Sequence, residues 1–337
     1  MPEAGSWWDG EVAERIAATR LEHLVAVREP LVLIGHKGRS GGTLLTQMLD
    51  GHPQLHVHPF ELEFGRSPSS WPAVDVEGNP EDWFGLLAER HVREGFARGY
   101  AKGAGREQDP QRFPLLLPPS LQREIFHEVV RRDLPTSQRD VYDAFLTSYF
   151  NAWLDNQNLV TTQAKRWVVA HRSALARSRE ARERFLATYP DGRLIAPVRE
   201  PQGWYASARR LHRHHANDLD AAVASWLDAA LETLHAVRRH PGRVLVVPFE
   251  RLLLDTDATM GSVADWLDIE RHPCLAEPTF NRMPIAANSS FPVAGPGVRQ
   301  EMASRWREDL TEAEQRRIDE LAGNTHRELI GSHAAVK

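Results

Sequence analysis

The chain has 337 residues with 41 Lys and Arg against 46 Asp and Glu, and this acidic balance argues against nucleic acid as its main partner. Hydrophobic residues make up 42%, as in globular proteins, and the length suits one large domain or two ordinary ones. The single cysteine, Cys274, can build neither a disulfide framework nor a thiolate metal cluster, and no apolar run predicts a signal peptide or a membrane span. We therefore expect a cytoplasmic protein.

Strands and helices alternate along most of the chain. Three short apolar runs rich in β-branched residues predict strands at Leu31–Ile34, Leu194–Val198 and Val244–Phe249. Helical patterns are predicted at Thr43–Gly51, Asp140–Gln157, Trp204–His215, Leu219–His240 and after a capping box of Thr311 and Glu314. Such alternation predicts an α/β fold in which helices cover both faces of a parallel sheet and ligands bind at the carboxyl edge.

The region 65–162 has a different character from the rest of the chain. It is rich in proline and aromatic residues and contains the helical stretch "DVYDAFLTSYFNAWLDNQ". We interpret it as a helical and loop insertion inside one domain that spans residues 1–337. A large loop with packing helices fits the same pattern equally well.

The stretch "LVLIGHKGRSGGTLLTQMLDGHP", residues 31–53, predicts an anion site. Glycines let the backbone approach a ligand closely, and the first N–H groups of the following helix have no partner within the helix. The candidate donors and cations are Lys37, Arg39, Ser40, Gly41, Gly42, Thr43 and Leu44. A glycine-rich turn that binds nothing is the alternative. Nucleotide triphosphatases place a lysine where Gly42 stands, so a magnesium triphosphate is disfavoured.

The segment "GRSGGTLLTQMLDGHP" resembles the 5′-phosphosulfate loop of the sulfotransferases that use 3′-phosphoadenosine 5′-phosphosulfate (PAPS). Their pattern is roughly P-[RK]-S-G-T-T-x-L, often followed by His-Pro. Gly38 stands where proline is usual and Gly42 where the first threonine is usual, so one hydroxyl contact is lost while Thr43 keeps the other. The resemblance implies that Arg39 touches the transferred group.

A second motif matches the same family. Its members place an arginine at the end of a strand and a serine eight residues later, and both hold the 3′-phosphate of the nucleotide. The segment "LIAPVREPQGWYAS" supplies Arg199 and Ser207 at this spacing. Arginine is suited to bidentate phosphate binding, whereas an ordinary ion pair with Glu200 is the alternative for Arg199.

The resemblance extends to two later segments. In "VLVVPFERLLLDTDATMGSVADWLDI", Phe249 replaces the family's usual tyrosine, which removes a hydroxyl from the nucleotide site. In "NSSFPVAGPGVRQEMASRWREDLTEAE", which is similar to the loop that closes over the nucleotide, Ser289, Ser290 and Arg299 are the implied contacts. The inserted region 65–162 matches no motif of the family.

The resemblance is to the bacterial and tyrosylprotein branch of the P-loop sulfotransferases. It implies a three-layer α/β/α fold with a central parallel sheet, whose insertion 65–162 forms the acceptor side. The implied reaction moves a sulfuryl group from PAPS to a hydroxyl, or with less preference an amine, and releases adenosine 3′,5′-bisphosphate (PAP) without a metal. The acceptor is a small molecule, lipid or glycan, and an oligomer is left open. A P-loop kinase or a nucleotide-binding protein without sulfuryl transfer is the alternative.

Candidates for the general base lie in "HPQLHVHPFELEF", after the loop helix. The related branches use a glutamate shortly after His-Pro, which places Glu61 first, and His58 is second because other branches use histidine. Alternation in this segment predicts a strand with one wet face, so His58 could simply be part of that face. The same branches use a lysine to assist transfer, for which Lys165 and Arg172 are candidates, although either could be a surface charge.

Overall fold

The computed structural model describes residues 10–35, 37–64, 71–101, 112–173, 175, 178–211, 218–286, 289, 291 and 295–333. Thirteen α-helices are assigned in these ranges: α1 Glu11–Glu22, α2 Gly42–Leu49, α3 Pro80–Leu87, α4 Arg90–Arg98, α5 Pro119–Asp133, α6 Gln138–Ala152, α7 Arg179–Thr188, α8 Pro201–Leu211, α9 Leu219–Arg239, α10 Phe249–Leu254, α11 Thr256–Leu267, α12 Trp306–Asp309 and α13 Glu312–His333. None of these helices combines the length and the apolar character needed to cross a bilayer.

Five parallel strands form the central sheet in the order β2-β3-β1-β4-β5. They are β1 Leu31–Ile34, β2 Leu55–Glu61, β3 Trp167–His171, β4 Arg193–Val198 and β5 Val244–Pro248. A separate antiparallel pair joins β6 Thr279–Phe280 to β7 Met283–Pro284. The predicted parallel α/β sheet is confirmed, but the sequence interpretation missed β3, although the run "WVVA" carried the signal of a short buried strand.

Successive residues of β1 contribute to different layers of the core. Leu31 and Leu33 pack with the helices that follow β2, whereas Val32 and Ile34 pack with α2 and α11 on the opposite face. This separation follows from the two-residue repeat of a strand, and the four side chains are fully buried. The sheet is therefore the middle of three layers.

The region 65–162 supplies part of the layer on one face of the sheet. Helix α6 is buried along almost its whole length and lies in the same core cluster as β1. Its Thr147 and Asn151 side chains accept the backbone N–H groups of Val27 and Val25, at 3.0 and 2.9 Å, and so fix the segment that enters β1. The helix begins with a capping box in which Ser137 and Asp140 bond to each other's backbone N–H groups.

Both faces of β2 are buried, so the prediction of one wet face was wrong. His56 and His58 are at most 1% exposed, because α6 lies over them. The ring of His58 lies 4.3 Å from that of Tyr149, and the ring of His56 lies 5.0 Å from that of Phe150. Burial lowers the pKa of His56 to about 3. Parallel sheets are normally covered on both sides, and this edge strand follows the rule.

The strand order places a switch point next to β1. The chain leaves β1 toward β2 and β3 on one side, and β4 and β5 lie on the other. Loops at the carboxyl ends of neighbouring strands diverge at such a point and leave a crevice in which α/β proteins bind ligands. The ends of β1, β3 and β4, together with β2, supply the candidate site.

Candidate active site

The loop after β1 presents backbone donors at the start of α2. Arg39 and Gly41 adopt left-handed conformations with φ of 73° and 94°, and α2 begins at Gly42 with no capping side chain among the described residues. Left-handed backbone is uncommon for a residue such as arginine and is a frequent feature of ligand-binding turns. Ser40 is buried and its hydroxyl has no hydrogen-bond partner among the described residues. These features fit the predicted anion site.

Contacts with α8 hold the loop in place. The indole N–H of Trp204 donates to the Gly38 carbonyl at 2.8 Å, and Arg39 Nε donates to Ser207 Oγ at 3.3 Å. Lys37 Nζ lies 5.5 Å from the centre of the Trp204 ring. The structure therefore brings Arg39 of the first motif directly onto Ser207 of the second.

Arg199 lies at the end of β4 and is only 6% exposed. Its guanidinium carbon lies 4.9 Å from the centre of the Phe249 ring, and its Nε has no hydrogen-bond partner within the described ranges. A Cβ atom placed on Gly41 would come within 2.3 Å of Phe249, so this ring touches both the loop and the arginine. Burial lowers the pKa of Arg199, but an arginine remains charged in proteins. A buried cation is thus aimed at the same region as the loop.

Two carboxyl groups lie behind Arg199. Glu250 Oε1 accepts the backbone N–H of Glu200 at 3.1 Å, and the Glu200 carboxylate accepts the indole N–H of Trp306. Burial, with the neighbouring Glu200 carboxylate, raises the pKa of Glu250 to about 7. Burial also raises the pKa of Glu200. When these carboxyl groups are ionised, their negative charge partly offsets the cost of burying the arginine.

Glu61 is the last residue of β2 and lies at the carboxyl edge. The register of β2 and β3 shifts between Val57 and Glu61, so that Glu61 pairs with His171. Bulges of this kind re-aim side chains and are frequent beside active sites. The Glu61 carboxylate accepts the backbone N–H of Ser173 at 2.9 Å and also the Ser173 hydroxyl. The half-buried carboxylate is therefore oriented at the edge that carries the loop.

His58, the second candidate base, is fully buried beneath this edge. Its Nε2 lies 3.1 Å from a Glu89 carboxylate oxygen, and its Nδ1 lies 3.1 Å from the Phe60 carbonyl. The other Glu89 oxygen accepts the backbone N–H of Glu63 at 3.1 Å. Both ring nitrogens of His58 are therefore engaged inside the protein, between β2 and the region 65–162.

Lys165 and Arg172 occupy opposite ends of β3. Lys165 Nζ donates to the carbonyl of Leu55, the first residue of β2, at 2.9 Å. It therefore lies at the amino edge, the length of a strand away from Glu61, and the expected part for Lys165 in transfer does not fit this position. Arg172 lies at the carboxyl edge but is 1% exposed, and its guanidinium donates to the carbonyls of Leu62 and Phe64.

His171 is a site residue that sequence reasoning missed. It ends β3 at the carboxyl edge, and its ring lies against Gly42 at the start of α2. Its position at the end of a short apolar run was the available signal, but β3 itself was not predicted.

His52 lies away from the carboxyl edge of the sheet. Its ring accepts the Gln54 N–H at 3.2 Å and contacts the Glu270 carbonyl.

The late loop is described only in part. The Ser289 hydroxyl accepts the backbone N–H of Phe291 at 3.0 Å, and Arg299 donates to the Pro296 carbonyl at 3.3 Å. Ser290 lies outside the described residues, as do residues 212–215 of the predicted helix. Where the chain is described, no group of three or more His, Cys, Asp and Glu side chains lies close enough together to hold a metal ion.

Comparison with known proteins identifies the family. A model of the Sulfotransferase family matches residues 30–273, most of the chain, and the chain belongs to this family. Similar solved structures include the sulfotransferase domain from the curacin biosynthetic pathway, with 20% identity, a TM-score of 0.47 and coverage of 87% of this chain and 96% of that one. The sulfotransferase domain of the Synechococcus PCC 7002 olefin synthase has 17% identity, a TM-score of 0.46 and coverage of 88% and 96%. No curated protein sequence matches the chain.

Proposed function

We propose that the protein transfers a sulfuryl group from PAPS to a hydroxyl group of an acceptor, with an amine as the second choice. The observation that carries this proposal is the junction of the two motifs. Arg39 of the glycine-rich loop bonds to Ser207, and Phe249 links the loop to Arg199. Family membership supports sulfuryl transfer, and the donor and the residue roles are our inference from the site.

The site residues fit the two ends of PAPS. The backbone N–H groups at residues 41–44 would hold the 5′-phosphosulfate, with Arg39 beside them. Arg199 and Ser207 would hold the 3′-phosphate, because a buried guanidinium whose Nε has no partner among the described residues is suited to donate to phosphate oxygens. When bound, PAPS supplies an activated sulfuryl group. Ser289, Ser290 and Arg299 are proposed as further nucleotide contacts, with Thr43 and Leu44 at the loop helix.

Glu61 is the proposed general base. It would take the proton of the acceptor hydroxyl as the bond from that oxygen to sulfur forms, and the bond from sulfur to the 5′-phosphate breaks. The loop N–H groups and Arg39 would stabilise the charge left on the phosphate of PAP, as fixed donors do in phosphoryl transfer. No step requires a metal. His58 is assigned to packing, since both of its ring nitrogens are already engaged.

The region 65–162 is the proposed acceptor side. It meets the catalytic edge through Glu89, which contacts both His58 and the backbone of Glu63. The acceptor would enter between this region and the end of β2. A small molecule, a lipid and a glycan are the classes to be screened, because no motif in the insertion selects one of them.

Titration calorimetry with PAP and with Mg-ATP tests the proposal. We expect PAP to bind at micromolar concentrations and Mg-ATP to bind at least tenfold more weakly, because the loop has Gly42 in place of the lysine that holds a triphosphate. Preference for Mg-ATP would support a P-loop kinase, and absence of PAP binding would refute the assignment. Binding of PAP without transfer of label from sulfur-35 PAPS to any acceptor class would indicate a nucleotide-binding module.

A further inference from the structure

His171 fills the space that a side chain at position 42 would occupy. A Cβ atom built on Gly42 would lie 2.4 Å from His171 Nε2 and 2.7 Å from its Cδ2, closer than real Cβ atoms come. The backbone does not itself require glycine there, since Gly42 is the first residue of α2 and Gly41 carries the positive φ. The His171 imidazole therefore explains why position 42 carries no side chain.

This imidazole nitrogen lies at the start of α2, in the space that a Gly42 side chain would fill. The N–H of Gly42 is one of the first donors of α2, so the ring belongs to the same end of the helix as the proposed anion site. His171 also pairs with Glu61 across β2 and β3, so one short stretch of the edge carries both the proposed base and this ring. The residue as a whole is partly exposed.

Two independent features indicate that the neighbouring volume is built for an anion. The Ser40 hydroxyl is 1% exposed and has no partner in the described part of the chain. Arg199 is 6% exposed, and its Nε likewise has no partner in the described ranges, while its guanidinium lies over the ring that touches Gly41. Buried polar groups are normally paired, so these atoms indicate a ligand with several acceptor oxygens.

We infer that His171 replaces the side-chain hydroxyl that sulfotransferases of this kind carry at position 42, and donates from Nε2 to the 5′-phosphosulfate. Gly42 and His171 are then a matched pair in which loss of the side chain on α2 admits the imidazole from β3. This inference rests on the proposed function, because it assigns a ligand contact within the same site.

The pair predicts a compensating double substitution. His171→Ala removes the donor, and we expect PAP to bind about 10- to 100-fold more weakly, as for a lost hydrogen bond to a charged group. Gly42→Thr alone forces a side chain against the ring and also weakens binding. Combining Gly42→Thr with His171→Ala restores affinity to within about threefold of the wild type, since the hydroxyl then has room.

The experiment is titration calorimetry with PAP on the full chain, with unfolding curves of each variant recorded without ligand. His171→Phe keeps a ring in place but cannot donate, so it should lose affinity as His171→Ala does; wild-type affinity in His171→Phe would show a role in packing only. His240→Ala is the matched control, because that ring contacts Glu183, remote from the loop, and its affinity should not change.

The outcomes separate this inference from the proposed function. Undiminished affinity for PAP in His171→Ala would overturn the pairing of Gly42 with His171. So would a double variant that binds PAP no better than His171→Ala does. In either case, PAP binding by the wild type would leave the sulfotransferase proposal standing. A wild type that binds no PAP would instead overturn both.

Discussion

The proposed nucleotide side and the proposed base side of the site are built in different ways. On the nucleotide side, the loop after β1 and the turn after β4 are contiguous segments whose residues contact one another through Arg39 and Ser207. On the base side, the end of β2 is shaped by a bulge, by the neighbouring β3 and by Glu89 of the region 65–162. Local motifs therefore describe the first side well, whereas the second depends on packing between distant parts of the chain.

The largest expected effect concerns the base side. Glu61→Gln should lower turnover about 100- to 10,000-fold, because a positioned base contributes that much to proton transfer. The affinity for PAP should stay unchanged, since Glu61 lies outside the loop. Transfer of label from sulfur-35 PAPS, with an acceptor found by screening the wild type, measures the first quantity, and calorimetry measures the second.

Glu63→Gln is the control for this substitution. Glu63 lies two residues along the chain and its carboxylate contacts His91 at 3.2 Å. Its variant should keep most of the turnover. Full activity in Glu61→Gln, or an equal loss in both variants, would remove Glu61 from the role of base.

The next effect tests the nucleotide side. Arg199→Ala should weaken PAP binding about 30- to 1,000-fold, because it deletes a buried charged partner of the 3′-phosphate. Arg271→Ala is the matched control: this arginine pairs with the Asp265 carboxylate at 2.5 Å and is 68% exposed. Calorimetry that finds equal affinities for the two variants would contradict the 3′-phosphate site.

A third effect separates the two candidate bases. His58→Ala should lower the free energy of unfolding by about 2–4 kcal/mol, because it leaves a cavity and removes a partner of the buried Glu89 carboxylate. PAP affinity of the folded variant should be retained. Urea unfolding gives the stability change. An unchanged unfolding midpoint together with abolished turnover would instead give His58 a chemical role.

A smaller effect depends on pH. The folded protein holds the proton of Glu250 up to about pH 7, whereas the unfolded chain releases it near 4.5. The folded state binds more protons in this window, so this group's contribution to stability falls as pH rises from 4.5 to 7, by up to about 3 kcal/mol. Glu250→Gln should therefore reduce the pH dependence of the free energy of unfolding, measured in urea at pH 5 and pH 8.

Glu277→Gln, which changes an exposed carboxylate, is the control and should leave this pH dependence as it is. A Glu250→Gln curve parallel to that of the wild type would show that the carboxyl pair behind Arg199 does not hold the proton.

The smallest expected effect tests whether Lys165 lies outside the site. Lys165→Ala should change turnover and PAP affinity by less than about twofold, because its amino group bonds to Leu55 at the amino edge. Burial lowers the pKa of Lys165 to about 8. A tenfold loss of turnover would return Lys165 to the transfer step.

The sequence predicted the proposed nucleotide side more accurately than the proposed base side. The predicted strands and the helices after the loop and after Arg199 agree with the structure to within a few residues, since hydrophobic periodicity and caps are local signals. Phe249 was placed at the end of a strand, but β5 ends at Pro248 and Phe249 starts α10. The wet face expected for β2 was wrong because burial there depends on α6, nearly a hundred residues later.

The sequence by itself determined the alternation of strands and helices, the glycine-rich loop and the spacing of Arg199 and Ser207. These features are short-range, because each depends on the conformations that neighbouring residues allow. Tertiary structure alone decided that Glu61 lies at the edge, that His58 is enclosed and that Lys165 lies at the opposite end. Tertiary structure also explains Gly42, which departs from the family's pattern. The ring of His171, from a different strand, fills the space that a side chain at position 42 would need.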